Sequence, residues 1–329
     1  MTHIQRPAVL VARHVFAQVV AYLGAHFDVE ANEQALDWSR EELVRRLQGK
    51  AVVFVSSTEP IDAGLLDACP DLRAVCSMAV GYNNIDVPAC TARGVQVTNA
   101  PDVLTETTAD FGFALMMATA RRIAESERFL RAGQWQRWSY DLFAGADVHG
   151  ATLGILGMGR IGQAIGRRGV LGFGMKLIYH NRSRLAPELE APLGARWVGK
   201  EQLLREADHL VIVVPYSPAS RHAIGAAELA LMQPSATLTN IARGGVVDDA
   251  ALAQALAERR IAAAGLDVFE GEPRVHPGLL RVPNVVLTPH IASATAATRM
   301  KMAILAADNL VAVLGGKPPL TPVNSPART

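Results

Sequence analysis

Residues Thr152-Leu-Gly-Ile-Leu-Gly157-Met-Gly159-Arg-Ile-Gly162 constrain this chain more than any other stretch. Five mostly apolar residues run into three glycines spaced G-x-G-x-x-G, and a helical pattern follows. That is how a strand, a tight turn and a helix read. In such a unit Gly157 permits the turn, Gly159 lets the backbone approach a pyrophosphate, Gly162 lets helix pack on strand, and the helix N-terminus faces the anion. An isolated match is also what a plain Gly-rich turn looks like, so context decides. Arg167-Arg168-Gly169 and Gly172-Phe-Gly174 read as a helix end and Lys176-Leu-Ile-Tyr-His180 as a second strand, completing a β-α-β unit of about thirty residues. A dinucleotide site is expected there.

The tip of the second strand departs from the usual pattern. An NAD-binding unit places Asp or Glu about twenty residues past the glycines, for the ribose hydroxyls. Here the chain reads His180-Asn181-Arg182-Ser183-Arg184, with no acid. Two guanidiniums, a hydroxyl and an amide suit a 2′-phosphate through charge-assisted hydrogen bonds, although the same run also reads as a solvated basic turn. The expectation is NADP(H) in preference to NAD(H), with NAD(H) still usable.

At 329 residues, half of them hydrophobic, the chain can bury a large core and is expected to split into two domains. A net charge of +1 with no long like-charge block gives no cause to expect nucleic acid or an anionic membrane, which leaves a small-molecule function. Cys69, Cys76 and Cys90 match no metal-ligand spacing, so no metal is expected and they read as buried hydrophobes in a reducing compartment. No apolar run reaches about 18 residues and the N-terminus lacks a continuous hydrophobic region. A cytoplasmic protein is expected.

Ala8–Ala12, Ala51–Val55, Leu72–Cys76 and Gln96–Thr98 read as buried strands separated by helices, an α/β domain in the first hundred residues. A helix capped by Asp102 or Thr105 follows, placing Phe111, Leu115, Ala118 and Thr119 on one face. Gly133 to Gly150, with Trp135, Trp138, Tyr140 and Phe143, is an irregular aromatic segment and reads as a dimer element. Beyond the β-α-β unit, strands are expected at Ala195–Val198, His209–Val214, Thr237–Ile241, Ala262–Leu266 and Asn284–Thr288. Helices follow at Lys200–Glu206, Asp248–Arg259 and Ala294–Leu314, and Pro318–Thr329 reads as a frayed tail.

Three strand ends in the second half close on polar residues: Asn240-Ile-Ala-Arg243-Gly-Gly, Asp267-Val-Phe-Glu-Gly-Glu272-Pro273 and Thr288-Pro289-His290-Ile-Ala-Ser293. Singly, Arg243 could sit in a surface turn, Glu272 in a solvated loop, and His290 could be a structural histidine. In an open parallel sheet, however, ligands bind outside the carboxyl ends of the strands, so the three are expected to converge. Hydride transfer to a 2-oxo acid needs a cation for the carboxylate, a proton donor for the carbonyl oxygen, and a group that keeps the donor charged. Arg243, His290 and Glu272 are that set.

With these residues in view, the chain resembles the D-isomer-specific 2-hydroxyacid dehydrogenase family, and within it the glyoxylate/hydroxypyruvate and 2-ketogluconate reductases. The likeness runs from Cys76-Ser-Met-Ala-Val-Gly81-Tyr-Asn-Asn-Ile-Asp86 through Glu106-Thr-Thr108-Ala-Asp and the glycine motif to the three segments just quoted. It implies an α/β protein of two Rossmann-like domains: a flavodoxin-like, discontinuous substrate domain, 1–101 with 292–329, and a dinucleotide-binding Rossmann domain, 102–291.

The resemblance further implies that the amides of Val80 and Gly81 hold the substrate carboxylate, that Arg243 pairs with carboxylate and carbonyl, and that His290 is the acid/base with Glu272 behind it. It places Thr108, Gly157, Met158, Gly159, Arg160, Ile161, Gly162, Asn181, Arg182, Ser183, Val214, Pro215, Ile241, Ala242, Arg243, Asp267, His290 and Ser293 around the cofactor, with Asp267 near the carboxamide. The activity implied is NADPH-dependent reduction of small 2-oxo acids such as glyoxylate, hydroxypyruvate and 2-ketogluconate to D-2-hydroxy acids, by a homodimer. Small acids such as glyoxylate and hydroxypyruvate fit every version of this pocket, whereas longer sugar acids need room near Ser57, Thr58 and Arg299, and near the aromatic segment if a partner subunit supplies Trp138 or Leu142. Two alternatives stay open: a dehydrogenase for another 2-hydroxy acid, and a dinucleotide-sensing, corepressor-like scaffold with little turnover.

Overall fold

A computed structural model describes residues 6–326. The chain forms two compact units, Met1–Leu104 with Thr295–Thr329, and Thr105–Ala294. The divisions fall after Leu104 and Ala294, where the sequence reading puts them after 101 and 291.

In the first unit, strands β1 (Ala8–Val11), β2 (Asp28–Ala31), β3 (Val52–Val55), β4 (Ala74–Ser77) and β5 (Gln96–Thr98) pair in parallel in the order β2-β1-β3-β4-β5. This is the flavodoxin-like order, whose direction reverses beside β1. The period of two is visible in β3: Val53 and Val55 pack with Leu43, Leu47, Leu65 and Cys90, while Val52 and Phe54 pack with Val19, Leu23, Ala306 and Leu310. β2 escapes the sequence reading because Asp28-Val-Glu-Ala is an edge strand with two acids among four residues and no fully buried position. Pro318–Thr329 is also not the frayed tail expected, as far as it is described. Pro322 bridges Thr98, and Asn324 takes the Val97 amide at 2.7 Å while donating to Val95 O and Thr91 Oγ1 at 2.9 Å each. Residues 327–329 lie outside the described residues.

The second unit is a seven-stranded parallel sheet made of β6 (Thr152–Leu156), β7 (Lys176–His180), β8 (Arg196–Trp197), β9 (His209–Ile212), β10 (Thr237–Asn240), β11 (Ala263–Leu266) and β12 (Val285–Leu287), in the order β12-β11-β10-β9-β6-β7-β8. The reversal of order falls between β6 and β9. The helix Thr105–Ala120 is enclosed on most sides, burying Ala109, Phe113, Leu115 and Met116 against the sheet core. The helix Arg160–Phe173 runs straight through Arg167-Arg168-Gly169, which the sequence suggested as part of its end, and stops at Gly174 in the left-handed region. These two helices and the strand ends position the site.

Candidate active site

β6 gives way at Gly157 to a turn with φ +104°, where a Cβ would lie 2.8 Å from the backbone of Val213 and Val214 at the end of β9. A Cβ on Gly162 would lie 2.4 Å from Gly157 O, so the helix can sit this close to the turn only without one. Gly159 caps the helix Arg160–Phe173 and its Cβ would face open space. The first-turn amides of Arg160, Ile161 and Gly162 have no intrahelical acceptor, and no acid stands in that turn, an arrangement suited to a phosphate oxygen. Met158 contributes less than expected. Its side chain is buried in the core and its amide already donates to Asn181 Oδ1 at 2.6 Å.

Thr108 is buried, and its hydroxyl finds no acceptor or donor among the described residues. An enclosed hydroxyl left so is one that a bound group can satisfy. Together with the open glycine cradle, it shows that the residues present fit a dinucleotide. Ile241 and Ala242, both buried, can offer a ligand only their backbone.

The tip of β7 differs from its reading. Arg184 is exposed like Arg182, but its guanidinium is already engaged: it forks onto the buried Glu190, Nε to Oε1 at 3.0 Å and Nη2 to Oε2 at 2.7 Å. Tyr179 Oη donates to the same carboxylate at 2.5 Å and accepts the Leu185 amide at 2.8 Å. Arg184 and Tyr179 hold the Glu190 carboxyl below its ordinary value. The exposed Arg182 and Ser183 remain as donors, beside the Asn181 side-chain amide. Glu190 is the residue that sequence reasoning missed here, since nothing local to Pro187-Glu-Leu-Glu190 marks one acid as buried.

β10, β11 and β12 are neighbours in the sheet, and their carboxyl ends carry the three chemical segments. Asn240 Oδ1 accepts the Ala242 amide at 3.0 Å, and this local turn presents Arg243, whose Nη1 donates to Ala242 O at 2.7 Å. The loop after β11 brings Glu272 back, with Oε1 accepting the Phe269 amide at 2.9 Å. Glu272 Oε2 meets His290 Nδ1 at 2.8 Å. With Nδ1–H committed to the carboxylate, the tautomer places proton exchange at Nε2.

Burial raises the Glu272 carboxyl. Hydrogen bonds from His290 and the Phe269 amide, with the charges of His290 and Arg243, outweigh it and hold the group below its ordinary value. Burial also pulls the Arg243 guanidinium down, against the Glu272 charge. A guanidinium stays cationic in a protein regardless. A cation, a carboxylate and an imidazole therefore lie within one electrostatic field, able to bind a carboxylate and move a proton.

Asp267, expected near the carboxamide, follows β11. It is fully buried, and its carboxylate accepts Thr288 Oγ1 at 2.7 Å and the amides of Ile291 and Ala292 at 2.8 Å each. Ser293 lies half-buried in the same turn, while Val214 and Pro215 follow β9. In the first unit, Val80 and Gly81 follow β4, half-buried, with Val80 O accepting from Asn99 Nδ2 at 2.8 Å.

Among the described residues, no three or more His, Cys, Asp or Glu side chains are grouped to hold a metal, and no helix is long and apolar enough to cross a membrane. The three cysteines are buried and unbridged.

Residues 113–292 match the family described as D-isomer specific 2-hydroxyacid dehydrogenase, NAD binding domain. The chain is 47% identical to a glyoxylate reductase of Thermococcus onnurineus over 97% of its own length and 96% of that protein's. A crystal structure of a glyoxylate reductase from Paecilomyes thermophila superposes with a TM-score of 0.86 at 34% identity, covering 97% of this chain and 98% of that one. The NADPH-dependent glyoxylate/hydroxypyruvate reductase of Sinorhizobium meliloti, solved with NADP and malonate, gives 0.83 at 36% identity, covering 97% of each chain.

Proposed function

The chain belongs to the D-isomer specific 2-hydroxyacid dehydrogenase family and is an oxidoreductase of that family, and we propose that it reduces glyoxylate and hydroxypyruvate to the corresponding 2-hydroxy acids with NADPH. The observation that carries the reading is the 2.8 Å bond from His290 to Glu272 on strand ends adjoining that of Arg243.

Bound at the glycine turn, the dinucleotide supplies the hydride that reduces the carbonyl carbon. Arg243 pairs with the substrate carboxylate and stabilises the alkoxide-like charge on the carbonyl oxygen, a kind of contribution worth about a hundred- to a thousandfold in rate. His290 passes its Nε2 proton to that oxygen, and Glu272 stabilises the imidazolium beforehand and orients the ring. In the reverse direction Nε2 takes the proton back. The amides of Val80 and Gly81 are assigned to the substrate carboxylate, and Thr108 to the nicotinamide end. Arg182 and Ser183 are assigned to the 2′-phosphate, with the S. meliloti enzyme's NADP complex as support by analogy. Of larger 2-oxo acids, 2-ketogluconate is ranked next.

The test is oxidation of NADPH and NADH by the purified protein with a panel of 2-oxo acids. Turnover with glyoxylate or hydroxypyruvate, faster with NADPH, is expected. Tight NADPH binding without turnover on any of the panel would favour a sensing scaffold.

The assembly proposed is a cytoplasmic homodimer. Trp135, Trp138 and Tyr140 are 55%, 72% and 93% exposed on a segment outside any helix or strand, and aromatics presented this way mark interfaces. A monomeric mass in sedimentation at micromolar concentration would contradict the dimer.

A further inference from the structure

We infer that Asn99 is a positioning residue: by holding the carbonyl of the Val80–Gly81 peptide it aims the Gly81 amide at the substrate carboxylate. The inference rests on the reading that the amides of Val80 and Gly81 bind that carboxylate.

β4 and β5 are neighbours in the sheet of the first unit; Val80 lies in the loop that leaves β4, and Asn99 directly follows β5. Asn99 Nδ2 donates to Val80 O at 2.8 Å, and the Ala100 amide donates to Ala79 O at 3.0 Å. A carbonyl only accepts, so the group that meets Val80 O is the NH2 of the Asn99 side chain and not its oxygen. The Val80–Gly81 peptide is trans. In a planar trans unit the C=O and the N–H point in opposite directions. Fixing Val80 O on Asn99 therefore fixes the Gly81 N–H, pointing away from Asn99.

Asn99 is itself held by the C-terminal segment. Its backbone amide donates to Thr321 O at 3.3 Å, and its carbonyl accepts Thr321 Oγ1. Thr321 in turn hangs on Asn309, which has no exposed surface and belongs to the helix Ala296–Leu314. Asn309 Oδ1 accepts the Thr321 amide at 2.9 Å, and Asn309 Nδ2 donates to Thr321 Oγ1 at 2.7 Å. The one hydroxyl proton of Thr321 thus goes to Asn99 while its oxygen accepts from Asn309. A chain of hydrogen bonds runs from a buried helix residue through Thr321 and Asn99 to the peptide.

The bond does more than orient. A peptide whose oxygen accepts a hydrogen bond is polarised, which strengthens donation from its N–H. Such a donor acts on a carboxylate that is charged in the ground state and in the transition state alike. Its loss therefore appears in KM and not in kcat. A residue that only held the fold would lower stability without moving KM alone.

The experiment compares wild type with Asn99→Ala, Thr321→Val and Thr321→Ser. It measures KM and kcat for glyoxylate at saturating NADPH, NADPH affinity by fluorescence, and the Gly81 amide by NMR. Labelling valine carbonyls with 13C and glycine nitrogens with 15N isolates the two Val–Gly peptides of the chain, Val80–Gly81 and Val198–Gly199, the second serving as reference. Losing a hydrogen bond to a charged group outright costs about ten- to a hundredfold, and mis-aiming one costs part of that. Asn99→Ala is therefore expected to raise KM for glyoxylate about tenfold, to leave kcat and the NADPH Kd within about threefold, and to displace the Gly81 signal but not that of Gly199. Thr321→Val should do the same in smaller measure and Thr321→Ser should restore wild-type values, which decides the matter even if the Asn99 variant fails to fold. An Asn99→Ala protein with KM within about twofold of wild type, or with an NADPH Kd raised about tenfold, would overturn the inference. So would a Thr321→Val protein matching wild type in both KM and NMR. Glycolate added to wild type with NADPH, a pair that cannot react, should also move the Gly81 signal. Failure of that response, with Asn99→Ala still displacing the signal, would overturn the carboxylate reading and leave the hold of Asn99 on the peptide standing.

Discussion

Replacing Glu272 by Gln removes one charge from the pair at the centre of the site and changes little else in shape. In the native arrangement Oε1 accepts from the Phe269 amide at 2.9 Å and Oε2 from His290 Nδ1 at 2.8 Å. Glutamine has one acceptor for those two donors, so its NH2 must face an N–H in either orientation. A hydrogen bond to an ionised group contributes about 1.5–3 kcal/mol. The two side chains are 31% and 37% exposed, so solvent screening reduces the share lost to about 1–2 kcal/mol. That corresponds to a fall of about five- to thirtyfold in kcat/KM for glyoxylate at neutral pH.

The pH dependence of the effect follows from the carboxyl's position. Because Glu272 is held below its ordinary value of 4.5 in the folded protein, its charge is fully present above 4.5 and is lost only as pH falls through the lower, folded value. The contribution of the Glu272 charge is therefore available from neutral pH down to about that ordinary value and is lost below it. Steady-state NADPH oxidation across pH measures this. A ratio within twofold of unity at neutral pH would refute the role given to Glu272. A loss as large as that from deleting His290 would show that the acid transfers a proton itself.

The 2′-phosphate site gives two further expectations. Replacing Arg182 and Ser183 together by Ala narrows the NADPH over NADH preference in kcat/KM; an unchanged ratio would place phosphate recognition elsewhere. Arg184→Ala leaves Glu190 as an uncompensated acid near the site and lowers NADPH affinity more than NADH affinity, whereas Arg184→Ala with Glu190→Gln recovers most of it; equal losses in the two proteins, read by titration, would show that the Arg184–Glu190 pair does not shape the phosphate site. In the first unit, Asn324→Ala strands the Val97 amide and the Val95 carbonyl, both in buried residues, and costs about 2–4 kcal/mol in chemical denaturation. A change below about 0.5 kcal/mol, the usual range for surface substitutions, would mean that the segment does not anchor there.

Much of this site can be read from local sequence because each part is a short segment at a strand end. Gly157, Gly159 and Gly162 announce a turn and a helix start, and the alternation of strands and helices then orders β10, β11 and β12 side by side, which brings Arg243, Glu272 and His290 to one edge. What local pattern cannot supply is which polar group is already satisfied by another. Arg184 reads as a phosphate ligand until Glu190, six residues on, is found buried beneath it. Nor does local pattern show that the Met158 amide donates to Asn181, just past the next strand. The strand at Asp28–Ala31 and the Asn324 anchor were hidden for a related reason: an acidic edge strand and a Pro-rich segment resemble loops, and only pairing with a partner distant in sequence shows otherwise.

The proton transfer assigned to His290 is tested most directly by His290→Ala, assayed with glyoxylate and saturating NADPH alongside a titration of NADPH affinity. General acid catalysis contributes about a hundredfold or more, so turnover should fall by at least that factor while the Kd for NADPH stays nearly unchanged. A variant retaining more than about a tenth of the wild-type rate would contradict the assignment.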